Sequence, residues 1–263
     1  MSERFDPTTL AKKAKRWVVK VGTSALTDEQ QLVVSKHCVE SIASEIVGLW
    51  HSKREVILVT SGAIGIGMGV LGLKTRPTDL AKLQAAAATG QGKLMQWYTG
   101  RMEEAGGRHA AQVLLTRGDL EDRQRRLNVK ATLETLLAAG IVPIINENDT
   151  VSTEEIRYGD NDLLSAHVAT LVEADLLLIL TDVDQMAGPT DPLSVVREIT
   201  PELERAARGT NKPSSTGGMR SKLEAAKIVM AHRIPMAVMN GRGRLNLFEL
   251  VQGVERKGTW FIP

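Results

Sequence analysis

Apolar residues follow two rhythms along this chain. Short, mostly apolar runs at 17–21, 56–60, 110–115, 141–145, 176–180 and 235–239 are rich in branched aliphatic residues, and they predict buried strands. Between them, over 33–50, 80–104, 124–139, 163–172 and 219–231, apolar positions recur at helical spacing. Strand runs without polar alternation, separated by helices, predict a mostly parallel sheet covered by helices on both faces. The expected architecture is an α/β three-layer sandwich forming one domain over 1–263. The stretch 182–213 contains Gly188, Pro189, Pro192 and Pro201 and no strand-like run. It is expected to be a mobile flap.

Composition narrows the function classes. Lys plus Arg number 33 against 31 Asp plus Glu, so no field of one sign draws the chain to nucleic acid or membrane. Aromatic residues are 3% of the chain, too few for a base-stacking platform. A single cysteine, Cys38, precludes an intrachain disulfide and fits a reducing compartment. His37, His51, His109, His167 and His232 are scattered without metal-ligand spacing. Residues 1–16 lack an apolar signal core and no later run is long enough to span a bilayer, so a cytoplasmic protein is expected.

In parallel α/β sheets ligands bind beyond the C-terminal ends of the strands. The first strand ends in Lys20, Val21 and Gly22, a lysine beside a glycine turn whose N–H groups could meet phosphate. Lys20 could equally be a surface residue with its stem buried. The second strand runs into Thr60, Ser61 and Gly62, a small-residue turn that offers an anion site. Gly67, Gly69 and Gly72 have dinucleotide-type spacing but begin too far after the strand to hold a pyrophosphate. Close helix packing is their simpler reading. The fourth run leads into Asn146, Glu147, Asn148 and Asp149, and 159–162 repeats an acid and amide cluster. These suit a ligand with an ammonium group, or the orientation of nearby lysines; Asp160 or Asn161 could instead cap the following helix. The fifth run ends in Thr181 and Asp182, and 215–222 is a glycine-rich entry to another helix. A nucleotide could lie between them, on the amides of Thr216, Gly217, Gly218 and Met219 with Lys222 pointing back to the same oxygens. Neither the P-loop motif nor the protein-kinase motif set occurs.

The motifs VVKVGTS at 18–24, VTSGAI at 59–64, QVLLTRGDLEDR at 112–123, NVKATL at 128–133, IVPIINENDTV at 141–151, GDNDLLSA at 159–166, LLILTD at 177–182 and STGGMRSKLEAA at 215–226 together resemble the amino acid kinase family. Their wording is most similar to the branch that phosphorylates the γ-carboxylate of L-glutamate in proline biosynthesis. The resemblance implies ATP and Mg²⁺ as cofactors, with the metal held mainly by phosphates and water. It implies catalytic roles for Lys20, Lys222 and Asp162, the carboxylate holding the two lysines in place. Glutamate would be bound by Ser61, Gly62, Asp149 and Asn161. ATP would be bound by Lys20, Gly22, Thr181, Asp182, Thr216, Gly217, Gly218, Met219, Arg220, Ser221 and Lys222. Implied partners are proline as feedback inhibitor, further copies of the chain, and the reductase that consumes γ-glutamyl phosphate. Many bacterial members carry a C-terminal PUA domain, and a chain ending at Pro263 is expected to lack one. The segment 183–192 departs from the family's usual wording, which bears on adenine contacts. Two competing functions are a kinase of the same fold acting on acetylglutamate, carbamate or a nucleoside monophosphate, and a silent nucleotide-binding regulatory protein.

Overall fold

The structure, a computed structural model, describes residues 6–27, 34–152, 161–188, 191–208, 218–243, 245–254 and 257–263. They fold as α1 (Pro7–Lys13), β1 (Arg16–Val21), α2 (Thr23–Leu26), α3 (Lys36–His51), β2 (Glu55–Val59), α4 (Ala63–Val70), α5 (Leu80–Gly106), β3 (Ala110–Leu115), α6 (Arg117–Glu121) and α7 (Arg123–Ala138). There follow β4 (Val142–Glu147), α8 (Asn161–Leu171), β5 (Leu176–Thr181), β6 (Val195–Val196), α9 (Pro201–Arg208), α10 (Met219–Ala231), β7 (Met236–Asn240), α11 (Leu247–Gln252) and β8 (Thr259–Phe261). Local chemistry sets the helix starts. Asp6, Asp79 and Asp122 each accept a hydrogen bond from a free amide in the first turn of α1, α5 and α7, and α5 stops at left-handed Gly107.

The described strands form one sheet in the order β3-β4-β2-β1-β5-β7-β8-β6. Pairings from β3 across to β7 are parallel, whereas β8 runs antiparallel to β7 and carries β6 alongside it. Successive strand residues face opposite layers. Trp17, Val19 and Val21 enter a core shared with α3, α5 and α11, while Val18 joins one with α8 and α10. Lys20 has the parity of Val18, so it emerges on the α8 and α10 side. The chain leaves β1 toward β2 on one side and reaches β5 on the other. That makes β1 the point at which strand order reverses, where a crevice opens above a parallel sheet.

One expectation needs correction. The stretch 182–213 is not a strand-free flap: β6 joins the sheet edge, and α9 buries Leu203 and Ala207 against α10 while Glu204 pairs with Lys227 at 2.7 Å. A two-residue strand is too short for periodicity, and α9 exposes mostly charge. Residues 189–190 and 209–213 of that stretch lie outside the described residues. The terminal strand β8 is likewise absent from the sequence pattern, since three residues carry no period. Among the described residues no helix is long and apolar enough to cross a membrane.

The glycines after β2 divide by role. A Cβ on Gly67 would sit 1.8 Å from the Ala86 carbonyl oxygen, so Gly67 allows α4 and α5 to touch backbone to backbone. Gly69 faces open space and Gly72 takes φ +66° in the turn that ends α4. Close packing therefore accounts for the first of the three, and the dinucleotide spacing is incidental.

Candidate active site

The C-terminal ends of β1, β2, β4 and β5, with the first turns of α8 and α10, converge on Asp162. Its carboxylate is fully buried. Lys20 Nζ lies 2.5 Å from Oδ1, Lys222 Nζ lies 3.1 Å from Oδ2, and Ser221 Oγ donates to Oδ2 at 2.9 Å. Lys20 and Lys222 are only 5% and 6% exposed, so water screens this triad little. Burial alone pushes the Asp162 carboxyl up, but the two ammonium groups outweigh it and hold it well below the usual carboxylate range. The shared carboxylate fixes where both ammonium groups stand.

Gly22 begins the turn after β1, and its amide donates to the Leu180 carbonyl at 3.1 Å. A Cβ on Gly22 would lie 3.4 Å from Lys20 Nζ, so this position keeps the approach to the lysine open. At the end of β5, Thr181 Oγ1 donates to Asp182 at 3.2 Å, and the Thr181 carbonyl accepts from the Gly241 amide at 2.8 Å. Gly218 caps α10, and the Met219 side chain packs into the core. Arg220 instead turns to the α9 side, where with Glu204 and Glu224 it lines a cavity of about 40 Å³, away from Asp162. Thr216 and Gly217 lie outside the described residues.

A second polar group lies beside the triad. Asn161, next to Asp162 in the chain, donates through Nδ2 to the Thr60 carbonyl at 2.5 Å, to Asn146 Oδ1 at 2.9 Å and to Ser61 Oγ at 3.0 Å. Asn161 is therefore the first residue of α8 whose side chain faces other elements, not a cap for its own helix; Asp160 lies outside the described residues. Gly62, at φ +104°, gives the turn after Ser61 a left-handed conformation that other residues resist. Asp149, in the turn after β4, is partly buried, and burial pushes its carboxyl up to about 6 against the opposing pull of Arg76.

The structure thus brings Lys20, Asp162, Ser221 and Lys222 together, and joins Ser61 to Asn161. Sequence reasoning named Asn146 and Thr60 only as members of their polar clusters and gave no role to Tyr98 or Gln91. Asn146 carried a signal as the first polar residue after a strand run. Tyr98, whose hydroxyl is 2.9 Å from Thr60 Oγ1, and Gln91, which accepts from Asn146 at 2.9 Å, are single polar residues inside a helical pattern. Nothing in the sequence separates them from surface positions. Two lysines held on one buried carboxylate at a strand-order reversal can meet an anionic group undergoing transfer.

Residues 15–240 match the model of the amino acid kinase family. The chain is 47% identical over 259 residues to "Glutamate 5-kinase" of Moorella thermoacetica, covering 95% of this chain and 68% of that protein. It is 48% identical to "Glutamate 5-kinase" of Symbiobacterium thermophilum, covering 94% of this chain and 95% of that one. Among solved structures, carbamate kinase of Giardia matches with a TM-score of 0.63 at 17% identity, over 95% of this chain and 99% of that chain, a likeness of fold.

Proposed function

The chain belongs to the amino acid kinase family, and we propose that it transfers the γ-phosphoryl group of ATP to the γ-carboxylate of L-glutamate, giving γ-glutamyl phosphate and ADP. The observation that carries this reading is the buried pair of lysines held by one carboxylate beside an amide and serine cluster. The γ-carboxylate ionises near pH 4 to 5, at roughly 4.3 in model peptides, so no general base is needed at neutral pH. One carboxylate oxygen attacks the γ-phosphorus, the bond from that phosphorus to the bridging oxygen breaks, and ADP leaves with the electron pair. Lys20 and Lys222 stand on either side of the transferred group and meet charge on its oxygens. Asp162 takes no proton; it positions both ammonium groups. Ser61, Gly62, Asp149 and Asn161 hold glutamate, and Gly22, Thr181, Asp182 and 216–222 hold the nucleotide.

Mg²⁺ supplies charge neutralisation on the phosphates when bound with the nucleotide. Among the described residues no three of His, Cys, Asp and Glu group together, and both Asp162 oxygens face ammonium groups. By resemblance to the family, the metal would be held mainly by phosphate oxygens and water. A cytoplasmic setting, self-association, feedback by proline and delivery of the product to a reductase belong to the same proposal and rest on resemblance. Added proline that leaves the KM for glutamate unchanged discards the feedback.

Hydroxylamine trapping of the acyl phosphate, with ATP, Mg²⁺ and one acceptor at a time, tests the function. Glutamate-dependent hydroxamate is the expected result. Product from acetylglutamate alone would leave the transfer chemistry standing and remove the glutamate roles of Asp149 and Asn161. Replacing Lys222 by Ala is expected to lower kcat by about 10² to 10³ with a smaller change in ATP affinity. An alanine variant that turns over like wild type rejects the mechanism.

Asp149 gives a pH signature. Its carboxyl sits at about 6 in the folded chain, raised by burial, and an ammonium partner favours the ionised form. Glutamate affinity should therefore be full above that value and fall as pH drops through it, by about tenfold per unit once the acid form dominates. The glutamate carboxylates titrate lower and stay ionised over most of this window. In Asp149→Asn the KM is expected to be high and flat between pH 5 and pH 7, roughly the span that brackets this titration. A wild-type KM that is equally flat there removes Asp149 from the ammonium site.

A further inference from the structure

Buried amides cannot choose their orientations independently, because each must present oxygen to donors and nitrogen to acceptors. Two backbone groups set the polarity here. The Thr60 carbonyl accepts from Asn161 Nδ2, and the Glu147 amide donates to Asn146 Oδ1 at 2.9 Å. Backbone groups have no alternative orientation, so both asparagine side chains are fixed. Asn146 is left with Nδ2, which donates to Gln91 Oε1 at 2.9 Å and so fixes Gln91 in turn.

The network therefore ends in two open groups of opposite kind. Asn161 Oδ1, an acceptor, and Gln91 Nε2, a donor, are buried and have no partner among the described residues. Their residues are only 6% and 9% exposed. Buried groups of this kind are costly to leave unmet, and a ligand that supplies both complements relieves both. Gln84, seven residues before Gln91 on α5, reaches the Ser152 carbonyl at 3.4 Å, which sets this face of α5 against the turn that carries Asp149.

An α-amino acid carries both complements on one carbon: an ammonium group that only donates and a carboxylate that only accepts. We infer that Gln91 is a substrate-binding residue whose Nε2 donates to the α-carboxylate of the acceptor, while Asn161 Oδ1 accepts from its α-ammonium. The inference rests on the reading of the chain as a kinase of a free amino acid's side-chain carboxylate. It makes Gln91 a specificity determinant, since an acceptor without the α-carboxylate leaves Nε2 unmet.

The hydroxamate assay tests this with wild type, Gln91→Glu and Gln91→Met, using L-glutamate and 4-aminobutyrate, which is glutamate without its α-carboxylate. Gln91→Glu keeps an oxygen for Asn146 and loses the donor; Gln91→Met is neutral and similar in size. Both variants should raise the KM for glutamate by about 10- to 100-fold, the loss expected for a hydrogen bond to a charged group. The KM for ATP should stay within about twofold, and kcat/KM for 4-aminobutyrate should be the same in wild type and Gln91→Met. A glutamate KM that hardly moves in either variant overturns the inference and leaves Nε2 to water. An equal loss with 4-aminobutyrate also overturns it, because Gln91 would then act only by holding Asn146. Should neither variant fold, wild type still decides: 4-aminobutyrate used nearly as well as glutamate excludes an α-carboxylate contact. If wild type makes no hydroxamate from glutamate at all, the functional reading falls, and the inference falls with it.

Discussion

Asp162→Asn is expected to lower kcat by about 10³ and the melting temperature by about 10 °C. The variant keeps the shape of the side chain and removes the one negative charge between two buried ammonium groups. Breaking a buried ion network by taking one partner away typically costs about 3 to 5 kcal/mol, because the remaining charges are left uncompensated. In a chain of this size each kcal/mol moves the melting temperature by about 2 to 4 °C. The rate suffers for a related reason: with no shared carboxylate, the two lysines repel and no longer stand where the transferred group develops charge.

The acid limb of stability should change too. The folded-state carboxyl lies below its ordinary value, so its contribution is full above the unfolded value near 4, about 3.9 in model peptides, and is lost as pH falls toward the folded value. Wild type should lose stability over that acid range, and the variant should lack this component. Calorimetry at several pH values, beside single-turnover kinetics, checks both. Wild-type turnover in a folded Asp162→Asn protein would show that the triad is a structural ion network only.

Gly90→Ala is expected to destabilise the fold by about 3 kcal/mol or more, the upper end of overpacking costs. A Cβ there would lie 1.8 Å from the Ala63 carbonyl oxygen and 2.5 Å from the Gly67 amide nitrogen. Both neighbours are backbone, so no side chain can swing aside; α4 itself must move. Because α4 starts at Ala63, directly after Thr60, Ser61 and Gly62, the shift also drags the serine away from Asn161. The KM for glutamate should rise along with the loss of thermal stability. Gly92→Ala, two residues on in the same helix and facing open space, is the control. It should stabilise by about 0.5 to 1 kcal/mol through helix propensity. Equal melting temperatures for the two variants would mean that the α4–α5 contact has room to relax.

Much of this fold was legible from hydrophobic rhythm. The run at 110–115 and the helix at 219–231 coincide with β3 and α10, and five further strands fall within two residues of their runs. The rhythm worked because most of these strands are buried on both faces and their helices on one, β3 at the sheet edge being the part-exposed exception. It failed for α9, which buries little, and for β6 and β8, which are too short to have a period. The candidate site divided similarly. Lys20, Ser61, Asp149, Thr181 and Lys222 stood out because they follow or precede regular elements at the sheet edge where ligands bind. Gln91 and Tyr98 did not, being polar residues in the middle of a long helix.

By itself, then, the sequence determined the element types, the parallel sheet and the set of polar residues delivered to its C-terminal edge, because periodicity and strand ends are local properties. Beyond what the family resemblance implied for Lys20, Asp162 and Lys222, only the tertiary structure decided which of those residues meet. That Asp162 lies between Lys20 and Lys222, and that Asn161, Asn146 and Gln91 hold one another in a single orientation, depends on sheet order and helix packing. These bring distant segments within hydrogen-bonding distance, and no local pattern records such a meeting.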